Sequence, residues 1–202
     1  LVIFWMGVPA FLLMPVLPFM IRRIHIRIAV GAGMFIMALS CFVSINLTAE
    51  SGGGVFTESQ FLRGIGMILT MMFLNQATVA SVAKEDAGDA SGIFNAARNL
   101  GGSFALAGLA SFQDQRLWHH SRRMEETLNA NSPRLQEYLD GMTASLGSPQ
   151  AALEMLSGII QRDAFVMTYN DVFFAMGAIT LVTVPLVLFL KPLPKNLSLS
   201  MH

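Results

Sequence analysis

Charge is scarce in this chain. Only 13% of its 202 residues are Asp, Glu, Lys or Arg, against about 25% in an ordinary soluble domain. The 13 basic and 13 acidic side chains cancel, so no basic surface offers itself to a nucleic acid. Cysteine occurs once, as Cys41 in an apolar run. That excludes a disulfide framework and a cysteine metal site. The long apolar segments hold no histidine and one acid, Asp171. An enzyme site inside them would need a compact set of nucleophile, base or metal ligands, so no catalytic residue is expected. The chain does not begin with Met, has no signal-peptide n-region, and its first residue already lies in an apolar run. The expectation is the C-terminal part of a longer protein.

What is present is hydrophobic: 53% of residues, with a mean hydropathy of +0.56. Long apolar runs with so little charge point to an all-α integral membrane protein, since about 20 apolar residues cross the hydrocarbon as a helix. Five spans are expected, at about 1–20, 28–47, 59–83, 91–112 and 164–190. The first carries Pro9, Pro15 and Pro18, and prolines kink membrane helices. The basic loop IRRIHIR, with Arg22, Arg23 and Arg27, marks a cytoplasmic side, whereas loop 48–58 has Gly52, Gly53 and Gly54 and no Lys or Arg. Segment 84–89, KEDAGD, places acids ahead of a helix, where the dipole favours them. It supplies no complete ligand set for a metal ion.

The stretch SGIFNAARNLGGSFALAGLAS, residues 91–111, organises the rest. It is apolar enough for a bilayer yet carries Asn95, Arg98 and Asn99. At about 3.6 residues per turn, Arg98, Gly101, Ala105 and Gly108 share one stripe, with Asn95, Asn99 and Gly102 on the stripe beside it. Small residues let a neighbouring helix approach closely. Polar residues in a span face a bundle interior or a water-filled cavity. Snorkelling of Arg98 to lipid headgroups is the alternative. In the third span Arg63 lies toward the outer end. Asn75 and Gln76 lie toward the other end, and Met67, Met71, Met72 and Phe73 add polarisable surface.

Residues 113–163 are polar and carry helix punctuation. A helix is expected over 114–129. A second follows Ser132–Pro133 and stops at Gly147, and a third starts at Ser148–Pro149. This reads as a helical insertion on the outer, periplasmic face, with residues 191–202 as a cytoplasmic tail. Lys and Arg divide almost evenly between the two sides, so orientation rests on IRRIHIR and on loop 48–58. The adjacent His119 and His120 point in different directions on a helix, and a metal site is not expected from them.

The run FLRGIGMILTMMFLNQATVASVAKEDAGDASGIFNAARNLGGSFALA carries a resemblance. Arg63, Gly64 and Gly66, then Gly88 with Ala90, Ser91 and Gly92, then Asn95, Arg98, Gly101, Gly102 and Ser103 follow the pattern of one family. It resembles the fourteen-helix drug:proton antiporters of the major facilitator superfamily, the EmrB/QacA type. The insertion followed by AFVMTYNDVFF is similar to the Gram-negative, EmrB-like branch. The resemblance covers the whole chain as the last five of fourteen helices. One departure is clear: Pro18 and Arg22 stand near the glycine and the acid of the superfamily loop, which puts a gating charge pair there in doubt. The resemblance implies proton-driven export of small amphipathic, drug-like compounds by alternating access in the bacterial inner membrane, with no cofactor. It also implies a periplasmic membrane-fusion adaptor and an outer-membrane channel as partners. The insertion would offer the adaptor a surface or else only cap the outer mouth. Asn75, Gln76, Asn95, Arg98 and Asn99 are the candidates for the cavity wall or gate. Arg63 and Asp171 are candidate structural or gating charges, and Gly101, Gly102 and Gly108 candidate packing glycines. The main proton-carrying acids are expected outside this chain. The alternatives are a narrow-substrate exporter of the same fold and a non-transporting membrane scaffold or sensor.

Overall fold

The computed structural model describes residues 4–13, 15–16, 19–20, 23–128 and 132–190. The expectations for Pro18, Arg22 and the tail 191–202 fall outside them. Among the described residues all regular structure is helical. Six α-helices follow in order: α1 (Phe4–Leu13), α2 (Ile26–Val43), α3 (Val55–Ala80), α4 (Ala87–Thr127), α5 (Pro133–Leu146) and α6 (Pro149–Thr183). Short 3-10 turns occupy Lys84–Asp86 and Val184–Phe189. The second begins where Pro185 removes an amide donor and crowds the preceding turn, so α6 cannot continue as an α-helix.

Two described helices are long and apolar enough to cross a membrane: Ile26–Val43 and the run Pro149–Phe189. The expected third and fourth spans are helical but fall short in hydropathy. Arg63, Asn75 and Gln76 dilute α3, and Asn95, Arg98 and Asn99 dilute α4.

Helix bounds revise the expected junctions. Helix α4 runs 41 residues without a break at 112/113, and α6 runs 35 without a break at 163/164. The expected first and third insertion helices are therefore continuations of α4 and α6. Only α5 stands alone. It starts at Pro133 after an extended Ser132 and stops at Gly147, whose φ of 76° is left-handed and suits glycine.

The chain divides into two compact units. The first comprises Leu1–Ser44, Gly52–Leu106 and Phe173–His202. Its centre is Ile26, Ala29, Val30, Leu69, Phe73 and Val187, with Phe73 fully buried. Glycines set how close its helices come. A Cβ on Gly66 would stand 2.6 Å from the Gly33 carbonyl oxygen, and one on Gly33 would stand 2.6 Å from Thr70 Oγ1. Gly64 admits α1 in the same way, against Met6 and Pro9. At Gly177, α6 meets Cys41 and Phe42 of α2, and Phe174 meets Phe42 edge-on at 6.0 Å. This is the packing of helices whose backbones approach across small residues, where dispersion replaces the hydrophobic drive.

The second unit comprises Ile45–Ser51 and Ala107–Val172. Its buried side chains are small and lie on one stripe of α6: Ala164, Thr168 and Val172, four residues apart, with Ala152 further back. The Thr168 hydroxyl donates to the Ala164 carbonyl at 2.7 Å, so this buried polar group is satisfied within its own helix. Helix α5 buries no residue.

Candidate functional site

The polar stripe of α4 is displayed. Asn95, Arg98 and Asn99 are exposed, and among the described residues no ion pair or side-chain hydrogen bond engages them. The Asn99 carbonyl accepts from Ser103 Oγ at 3.0 Å, a bond internal to the helix. A Cβ added at Gly101, Gly102 or Gly108 would meet nothing within 4 Å. The side chains of Ile93, Leu100, Phe104 and Leu106 on the same helix are exposed as well. This length of α4 thus presents a face with polar, glycine and apolar strips that is exposed among the described residues.

On α3, Asn75 is exposed and Gln76 half-buried. Arg63 is half-buried, with its guanidinium carbon 5.3 Å from the centre of the Phe173 ring. Its Nη2 is buried without a hydrogen-bond partner among the described residues. A cation over an aromatic face recovers part of the hydration lost on burial. Thr70 Oγ1, beside Gly33, is a second buried polar atom without a partner.

Asp171 sits among charges that the sequence does not place beside it. His120 Nε2 lies 2.6 Å from its Oδ2, and Arg116 Nε lies 3.0 Å from the same oxygen. Arg116 Nε has no aligned hydrogen-bond partner, so its contact is an ion pair rather than a directed bond. The His120 and Asp171 side chains are 16% and 28% exposed. Arg116 and His120 are one helical turn apart, so α4 brings both to one face. That i,i+4 spacing of two basic groups is the signal a sequence reading can use; the acid they share lies 51 residues from His120. His119 turns aside, lining an open groove of about 570 Å³ with Asp114, Gln115, Arg116 and Trp118. No group of three metal-ligating side chains occurs among the described residues.

Next to Asp171, Asn170 binds the loop after α2. Its Oδ1 accepts from the Leu47 amide at 3.0 Å, and its Nδ2 donates to the Leu47 carbonyl at 2.9 Å. Neither contact has a local sequence signature.

The chain is 25% identical over 189 residues to the colistin resistance protein EmrB of Acinetobacter baumannii, covering 91% of this chain and 37% of that protein. It is 26% identical over 160 residues to the multidrug export protein EmrB of Escherichia coli K12, covering 78% and 31%. It is 22% identical over 171 residues to the fatty acid resistance protein FarB of Neisseria gonorrhoeae, covering 85% and 34%. The chain thus spans about a third of the length of these relatives. No family model and no solved structure matches it.

Proposed function

We propose that this chain, similar over most of its length to proteins named for multidrug export and for colistin or fatty acid resistance, is an EmrB-like segment of a proton-coupled exporter of amphipathic compounds. The observation that carries the reading is the agreement of three relatives, named for resistance to or export of different compounds, across 78–91% of the chain. The uncovered mixed face of α4 supports it, because a transporter needs polar side chains that face a cavity and small residues that meet a moving neighbour.

In this reading the chain supplies five spans of a major facilitator bundle and one wall of its cavity, and performs no catalysis. Asn75, Gln76, Asn95, Arg98 and Asn99 line the wall or gate. Gly101, Gly102 and Gly108 receive a helix from elsewhere in the protein. Arg63 and Asp171 hold charge at the outer end. The insertion lies on the periplasmic side of the bacterial inner membrane, the C-terminus is cytoplasmic, and α5 offers an outer surface for a membrane-fusion adaptor leading to an outer-membrane channel. A narrow-substrate exporter of the same architecture is the second reading, favoured by relatives named for a single compound class, colistin or fatty acid.

The test is dye efflux and drug susceptibility in an efflux-deficient Gram-negative host expressing the full-length protein, with and without a protonophore. Efflux of several unrelated amphipathic dyes, abolished by the protonophore, is expected. Efflux of one compound class alone would move the conclusion to the second reading. No efflux of any compound, with protein present in the membrane and the adaptor co-expressed, would overturn both.

A further inference from the structure

Two adjacent residues of α6 reach in two directions. Asn170 holds both backbone groups of Leu47 and so fixes the loop Ile45–Ser51. Asp171 holds His120 and Arg116 of α4. The joined segments lie 123 and 51 residues from α6 along the chain. Among these residue types, imidazole is the one whose ordinary change of charge falls between about pH 5 and 8.

We propose that Asp171, His120 and Arg116 form a proton-responsive latch beside the Asn170 clamp, in which a proton taken up by His120 tightens the hold of α6 on α4. Neutral His120 can already donate one N–H to the Asp171 carboxylate. A second proton makes the imidazole cationic and turns that 2.6 Å hydrogen bond, already made to a carboxylate, into an ion pair, which adds the Coulombic attraction of opposite charges in direct contact. The groups facing His120 fix the sign. Asp171, from α6, attracts the added charge. Arg116, one turn earlier on its own helix, and the neighbouring His119, whose ring centre lies 5.6 Å away, oppose it. The acid is in direct contact and nearer than either opposing group, so a proton gained by the imidazole tightens the latch. Both side chains keep some exposure, so protons from the medium reach them. The Asn170 clamp has no titratable group and is indifferent to pH. The latch therefore acts on the α4–α6 contact and leaves loop 45–51 unchanged. Its role, a pH-dependent hold on the outer ends of two helices, rests on the exporter reading, although the contact itself does not.

Amide hydrogen exchange on the full-length protein tests this, at about pH 5.5 and about pH 7.5, either side of the ordinary imidazole titration. After correction for intrinsic exchange, residues 112–124 are expected to exchange about threefold more slowly at the lower pH. Loop 45–51 is expected to show no difference. His120→Gln, which keeps a donor but cannot titrate, abolishes the difference, and His119→Gln retains it. If His120→Gln does not fold, Asp171→Asn is the replacement, and it too should abolish the difference. A wild-type protein without the difference, or a titration-free variant that retains it, overturns the latch. Since exchange needs no transport, an intact difference in a protein without efflux would overturn the exporter reading and leave the latch standing.

Discussion

A methyl group on Gly66 would stand 2.6 Å from the Gly33 oxygen and 2.6 Å from Met37 Cγ. Backbone cannot yield as a flexible side chain does, so α2 and α3 must separate. Gly66→Ala is expected to destabilise the full-length protein by about 1–3 kcal/mol, read as a lower melting temperature in detergent. Gly101 is the contrast, because its Cβ would meet nothing within 4 Å among the described residues. If the stripe receives a helix from the rest of the protein, Gly101→Leu in the full-length protein lowers efflux and Gly101→Ala is milder. Equal, wild-type behaviour of both would remove the packing role. Arg98 is as exposed as its glycine neighbours. Arg98→Ala is expected to cut efflux about tenfold or more, roughly 1.4 kcal/mol or more of lost transition-state stabilisation, at an unchanged protein level. Efflux and level both equal to wild type would end its assignment to the wall or gate.

Helices are legible in this sequence where their ends are chemical. Ser132, Pro133 and Gly147 mark α5 because a proline suits the first helical turn and a glycine suits a left-handed stop. Residues 112–113 and 163–164 are different. There the sequence changes between apolar and polar, but no glycine or proline lies between Gly108 and Thr127, or between Gly158 and Gly177, to break the helix. Composition reports the solvent of a helix, not its length, so two of the expected insertion helices belong to α4 and α6. The latch is legible by half. Asp171 stands out as an acid in an apolar run, whereas Arg116 and His120 are not among the expected site residues, although their i,i+4 spacing puts them on one helix face. Their meeting is tertiary, and no local pattern encodes it. Continuity of α4 makes a prediction at this scale. Ser111→Pro removes a hydrogen bond and clashes with the preceding turn, at about 3 kcal/mol or more, whereas Ser111→Ala is neutral. Near-wild-type stability of the proline variant would show that the helix is broken there.

Across the whole molecule, the exporter reading fixes which parts face which side of the membrane, and Cys41 makes that measurable. It is the one cysteine of the chain and 5% exposed, and in unit 1 it lies against Gly177. A buried thiol in apolar surroundings reacts poorly, so it contributes little background. Glu137 and Asp140 are exposed on α5, which buries nothing. Asp86 is exposed in the turn before α4. Cysteines placed singly at these positions, in a full-length protein otherwise freed of cysteine outside this segment, give two reporters on opposite sides. A membrane-impermeant maleimide added to intact spheroplasts should label Glu137→Cys and Asp140→Cys and spare Asp86→Cys; inverted vesicles should reverse the pattern. The reversed result in both preparations would turn the topology over. It would also place the His120–Asp171 contact on the cytoplasmic side, where its pH response would read internal rather than external protons. Labelling of all three positions from one side would mean that α4 does not cross the membrane. The polar residues that dilute its hydropathy would then face water rather than a cavity within the bilayer, and Arg98 would lose its claim to the transport path.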